Sequence, residues 1–249
     1  MSLQTEPEID YPEDDGLPMS DNTVQFRWIQ LLHANLDSLY SNNPDVFVGG
    51  NLLWYPVRGN NVICRAPDTF VAFDRPKDDR SVYRQWDEND IPLTVVFEVR
   101  SPNDSNALMR AKLDFYNLYG SEEYYLIDPD RNRFNAYRRV RRRLSERPLQ
   151  QLQSTSPRLG IRFDLSQGDI RVFLPDGSPF LTPAQMTARA ERAEQRTEAE
   201  RRRADADAAR MARAMALMDR VMAGTATPAE VAEFQQLRST GSPDPDSVN

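Results

Sequence analysis

Three consecutive stretches constrain this chain more than any others: PLTVVFEV (residues 92–99), SNALMRAKLDFYNLYG (105–120) and EYYLIDP (123–129). The first and third are short runs of β-branched and aromatic residues, the composition of strands buried on both faces. Between them Leu108, Ala111, Leu113, Phe115, Tyr116 and Leu118 are available for one helical face, and Gly120 supplies a stop. A strand, a helix and a second buried strand in succession make a right-handed crossover, with the two strands parallel in one sheet. Glu98 stands inside the first of those strands. A carboxylate there loses its hydration, so either Glu98 is an accident or something positive sits beside it.

The flanking sequence extends the same architecture. VQFRWIQLLHANLDSLYS places Trp28, Leu32, Leu36 and Leu39 on one stripe and predicts an amphipathic helix over residues 23–41. DVFVGG, NLLWYPV and NVICRAPDTFVAF read as strands before the crossover, and RFNAYRRV, GIRFDL and DIRVFLP as strands after it. The expected fold is α/β: a mixed sheet flanked by helices over residues 22–182. From Pro183 the composition shifts to Ala, Arg, Glu and Met with no further Gly or Pro until Gly224, which predicts one long helix over 183–223. Its four-three rhythm is weak at first and Met-rich later, at Met211, Met215, Met218 and Met222. This fits either a coiled-coil homodimer or a helix folded back on its own core. A short helix and a disordered tail are expected over 224–249.

Charge is distributed unevenly. The formal net charge is -7, yet residues 1–21 carry seven acids and no base, whereas residues 131–147 carry eight arginines and one glutamate. The first segment reads as a disordered acidic leader. The second is a basic block suited to polyanions, and Arg138, Arg139, Arg141, Arg142 and Arg143 are its candidate DNA contacts. The single cysteine, Cys64, excludes an internal disulfide and a multi-cysteine zinc site, and fits a reducing, cytoplasmic setting. The single histidine, His33, excludes sites built on paired histidines, which leaves carboxylates to hold any metal.

Asp68, at the entrance to the strand of TFVAF, and Glu98, 30 residues later, can converge on one hard cation if their strands are neighbours. With the Val99 carbonyl, and with Lys112 on the following helix, they make up the groups needed for metal-assisted phosphodiester hydrolysis. Each has a plainer reading. Asp68 can cap a turn, Glu98 can form a structural ion pair, and Lys112 can lie along the surface with its ammonium in water.

APDTFVAF, VVFEVRSPND and RAKLDFYNLYGSEEYYLIDP, preceded by the strand of NLLWYP, resemble in order and spacing the Uma-two family of restriction-endonuclease-like proteins, abundant in cyanobacteria. The resemblance runs from about Gln25 to Pro129 and more loosely to Pro175. It implies a PD-(D/E)XK nuclease core, a Mg2+ or Mn2+ cofactor, DNA as substrate, Asp68 and Glu98 as metal ligands, and Lys112 as the catalytic lysine carried on the helix. The long helix after LTPAQ is similar to the coiled-coil tails of many members. Two positions depart from the pattern. Arg100 occupies the strand position where related nucleases often keep lysine, and being always protonated it can bind phosphate or pair with Glu98 but cannot act as a base. Gln25 stands where many members have histidine. Two readings from other classes stand beside the nuclease: a catalytically inactive nuclease-fold protein that binds DNA or a protein partner, and a scaffold that dimerises through its carboxy-terminal helix.

Overall fold

The structure, a computed structural model, describes residues 9–14, 16 and 20–239. Most of the expected acidic leader and the last ten residues of the expected tail lie outside the described residues. In chain order the elements are α1 (Thr23–Leu39), β1 (Val46–Gly49), β2 (Trp54–Tyr55), β3 (Thr69–Phe73), β4 (Tyr83–Arg84), β5 (Val95–Val99) and α2 (Asn106–Leu118). Then come β6 (Glu123–Asp128), β7 (Arg133–Val140), β8 (Arg143–Arg147), β9 (Gln153–Thr155), β10 (Arg162–Asp164), β11 (Arg171–Phe173), α3 (Pro183–Met222) and α4 (Pro228–Ser239). The chain divides into two compact units, Met1–Gln185 and Met186–Asn249.

The first unit is built on a six-stranded mixed sheet in the order β1-β3-β5-β6-β7-β8. β5 and β6 are its parallel pair, joined through α2 as the strand-helix-strand pattern requires, and the other neighbours are antiparallel. All five residues of β5 are buried. Alternation along the strand sends Val95, Phe97 and Val99 to the face that carries α1, where they meet Leu32 and Leu36 of that helix and Phe163 of β10. Val96 points to the opposite face, into a cluster with Tyr116 of α2, Trp54 and Tyr124. Burying each of the large side chains contributes about 1.5–3 kcal/mol. That two-sided packing holds β5, and Glu98 with it, at the centre of the sheet.

Local chemistry sets where the helices begin. Asn22 caps α1 by accepting from the Val24 and Gln25 amides, and the Ser105 hydroxyl caps α2 by accepting from Leu108. TPAQ at Thr182 and TPAE at Thr227 are two capping boxes with proline at the first helical position: each threonine hydroxyl accepts from the third residue on, whose side chain accepts the threonine amide in return.

Several sequence expectations need revision. NVICRAPDTFVAF is a strand only over Thr69–Phe73, because its first half loops around with a single bridge between Trp54 and Arg65. Within the leader, residues 10–12 lie on the core instead of standing off in solvent. Tyr11 packs on Tyr55 and Trp86 and its hydroxyl accepts the Gly59 amide, while Tyr55 donates to the Pro12 carbonyl. The arginine block holds more than the strand of RFNAYRRV. It folds into the hairpin β7–β8, which turns at Arg141 in the left-handed region (φ 58°). Sequence patterning misses β8 because its alternation, Leu144 in and Arg143 out, is masked by arginines on every side.

In the second unit α3 is one continuous helix, and α4 folds back along its end. Arg213 pairs with Glu233 at 2.7 Å and Arg220 with Glu230 at 2.5 Å, and Leu217 between them is fully buried. Met211, Met215, Met218 and Met222 stay exposed. Among the described residues no helix is long and apolar enough to cross a membrane.

Candidate active site

The site forms where β3 begins and β5 ends. Because β3 and β5 are antiparallel with Thr69 opposite Phe97, the residue before β3 comes beside the last residues of β5. Asp68 uses this placement: its Oδ2 accepts the backbone N–H of Val99 at 2.6 Å. Gly50 makes the approach possible, since a Cβ there would lie 2.6 Å from the Asp68 carbonyl oxygen. The other oxygen of Asp68 accepts no hydrogen bond from the described residues. Asp68 is buried, and its carboxyl is pushed well above its ordinary value, first by desolvation and then by the charge of Glu98.

Glu98, 1% exposed, faces α2, and both of its oxygens are met from that helix. Lys112 Nζ donates to Oε2 at 2.6 Å and the Tyr116 hydroxyl donates to Oε1 at 2.5 Å. Positions 112 and 116 are one helical turn apart, so a single face of α2 presents both donors. Burial alone would lower the Lys112 ammonium, but the Glu98 and Asp68 carboxylates outweigh it and raise it above its ordinary value. Lys112 is therefore a fixed cation. Burial, followed by the neighbouring Glu98, raises the Tyr116 phenol well above its usual range, so it remains a donor.

The Val99 peptide is held from two sides. Its N–H goes to Asp68, and its carbonyl accepts from Gln25 Nε2 at 2.9 Å. Gln25 is itself oriented, its Oε1 accepting the Asp21 amide at 2.8 Å. A carbonyl oxygen has two lone pairs, so Val99 keeps one for a further partner. Asp21, grouped by sequence with the acidic leader, reaches this end of the sheet and accepts a short hydrogen bond from Ser101 Oγ. Ser101 closes the turn after β5, accepting from Asn103 and donating its amide to Asp104, and so serves the turn.

Arg100 does not pair with Glu98. Its Nη2 donates to the Asp104 carbonyl and to Asn106 Oδ1, both at 2.8 Å, and its Nη1 stands 3.9 Å from Asp128. Asp128 also holds Arg131 at 3.2 Å, so two guanidinium groups are gathered at the carboxyl end of β6. The rest of the arginine block is elsewhere. In the register of β5, β6 and β7, Glu98 lies beside Leu126 and Asn135, whereas the β7–β8 turn follows Val140. Five residues along a strand carry that turn about 17 Å away from the carboxylates. Arg141, Arg142 and Arg143 are exposed there. Arg139 is consumed by the backbone carbonyls of Asn117, Ser121 and Arg142, closing the end of α2, and Arg138 points to Ser154 and Thr155. Arg80, in the loop before β4, is likewise spent on Glu88 and the carbonyls of Pro76 and Asp78.

The donor set suits a hard cation. Asp68, Glu98 and the Val99 carbonyl all offer oxygen donors, and Asp68 is a buried carboxylate whose charge a cation would offset. Among the described residues there is no group of three or more His, Cys, Asp or Glu side chains placed to hold a metal. Mg2+ does not require one, since one or two carboxylates with water and phosphate oxygens complete its shell. In the sequence Tyr116 reads only as a core residue. Its spacing of four from Lys112 is the signal available there, and it becomes meaningful only when β5 is known to lie under that face of α2.

One solved structure similar to this chain is described as a "putative nuclease belonging to DUF820" from Anabaena variabilis. It is 14% identical, covers 55% of this chain and 72% of its own, and has a TM-score of 0.42. No functionally curated protein matches the chain significantly. The sequence model of Uma2, described as "Putative restriction endonuclease", matches residues 4–176 and so takes in the sheet, α1, α2 and every residue of the site. This chain belongs to the Uma2 family of restriction-endonuclease-like proteins.

Proposed function

We propose that the protein is a Mg2+- or Mn2+-dependent endonuclease that hydrolyses phosphodiester bonds in DNA. The observation that carries this reading is the meeting of Asp68 and Glu98, two buried carboxylates on neighbouring segments of the sheet, with Lys112 at the carboxyl end of β5. Asp68, Glu98 and the Val99 carbonyl would hold the cation, which when bound supplies Lewis-acid activation of water and neutralisation of phosphate charge. Lys112, kept protonated by its two carboxylates, acts as a positive charge beside the scissile phosphate and stabilises the negative charge that grows in the transition state. It is not a base. Tyr116 fixes the rotamer of Glu98, and Gln25 fixes the direction of the Val99 carbonyl. Arg100, held by the turn and by Asp128, is placed to contact a backbone phosphate.

A second reading has its own observation. Both oxygens of Glu98 are already satisfied by Lys112 and Tyr116, as in a structural ion pair, and a nuclease fold that binds DNA without cutting it would look the same here. Nicking of supercoiled and single-stranded DNA with Mg2+ or Mn2+ separates the two. Cleavage by the wild type that is lost in Asp68→Ala, Glu98→Ala and Lys112→Ala supports the endonuclease. Salt-sensitive binding without cleavage supports the second reading, and cleavage surviving all three changes sinks the site.

A further inference from the structure

On the opposite face of the sheet, at its opposite end, a cavity of about 1100 Å³ opens between β6–β8 and β9. Register explains its lining. Arg138 lies across from Glu123, and Arg147 across from Ala136, so Arg138 and Arg147 are diagonal neighbours on the face that carries α1. Arg158 completes the wall. The wall holds four arginines, Arg138, Arg139, Arg147 and Arg158, against two carboxylates, Glu122 and Glu123, so its charge is net positive. Glu123 is buried and saturated, accepting from Tyr125 Oη, Ser156 Oγ and the Arg158 amide. Glu122 is taken by Arg158 at 3.2 Å.

Arg138 and Arg147 have no ion pair among the described residues. One end of the Arg138 guanidinium donates to the Thr155 carbonyl and to Ser154 Oγ, which hold it in place. The Arg147 guanidinium has no partner among the described residues. The cavity is much larger than an inorganic anion needs and lies just above the roughly 300–1,000 Å³ usual for small-molecule sites.

We propose that this cavity is a second ligand site, distinct from the carboxylate site, which takes a small organic phosphate: the phosphoryl groups lie between Arg138 and Arg147 and the organic part fills the remaining volume. Planar guanidinium forks suit phosphoryl oxygens in both geometry and charge. Arg158, already paired with Glu122, stands at the rim.

The test is calorimetric titration of the full chain in EDTA with ATP, AMP, pyrophosphate, inorganic phosphate and sulfate, and with a short DNA duplex as competitor. The expected result is saturable binding of ATP, about tenfold or more tighter than inorganic phosphate or sulfate. Arg147→Gln, which removes no bond within the protein, should weaken it about tenfold, as should Arg138→Gln, while Asp68→Asn leaves it unchanged. Pyrophosphate as tight as ATP would overturn the role given to the organic part. Displacement of ATP by stoichiometric duplex would make the cavity part of a nucleic-acid groove and overturn the proposal, as would wild-type affinity in Arg147→Gln or no binding of any probe.

Discussion

Asp68 Oδ2 and the Val99 amide are joined by a 2.6 Å hydrogen bond that ties the first residue of the proposed metal pair to the residue directly after the second. One backbone N–H thereby locks the relative position of two carboxylates 30 residues apart. The same bond is made by a buried acid whose carboxyl is raised, so stability and function pull against each other at this point.

The sign of that conflict can be measured. An acid whose folded-state value is raised above the unfolded one, about 3.9 for aspartate, contributes stability that is complete below the unfolded value and lost as pH rises through the folded value. In EDTA the wild type should therefore lose melting temperature as pH rises from 4 towards 8 by more than Asp68→Asn does. At pH 8 the variant should melt higher than the wild type while having lost cleavage. Thermal melts across pH check this, and a variant that melts lower at every pH would contradict it.

Divalent cation should reverse the order. Binding to the folded state alone stabilises it in proportion to the logarithm of free ligand over Kd, about 2.7 kcal/mol at one hundred times Kd. Mn2+ should raise the melting temperature of the wild type and leave that of Asp68→Asn within error.

Lys112 and Glu98 should behave as a coupled pair. Lys112→Ala strands a carboxylate that is 1% exposed and should cost about 3–5 kcal/mol in denaturant unfolding. Joining Glu98→Gln to Lys112→Met removes both charges and should recover most of that loss without restoring cleavage. Tyr116→Phe, which removes one donor to Glu98, should cost about 1–3 kcal/mol and reduce cleavage while leaving metal binding measurable.

Gly50 carries the site through space alone. Gly50→Ala sets a Cβ against the Asp68 carbonyl, a backbone atom that cannot swing aside. Cleavage should fall steeply, and Mn2+ should no longer raise the melting temperature. Retention of both would show that the β1–β3 connection yields more easily than the geometry implies.

Arginines should differ by location. Arg100→Ala is expected to weaken DNA binding and to reduce the magnitude of the slope of log K against log salt by about 1. Changing Arg141, Arg142 and Arg143 together to alanine, at the far tip of the hairpin, should leave cleavage at moderate salt within about twofold, because charges beyond a Debye length are screened.

Much of this could be read along the chain. The buried runs on either side of an amphipathic segment point to a parallel pair with a crossover helix, an arrangement that hides both strands and the apolar face of the helix. The shift to Ala, Arg, Glu and Met without Gly or Pro after Pro183 marks where α3 starts. Glu98 announced itself as a charge that burial would not tolerate alone. Register and packing decided the rest. Whether Lys112 reaches inward, whether Tyr116 is core or donor, and whether Arg100 faces Glu98 or the following turn depend on which face of α2 meets β5. Whether the arginine block lies at the carboxylates or away from them depends on strand order and direction. These are long-range relationships between segments tens of residues apart, and local spacing carries no record of them until the sheet brings the segments together.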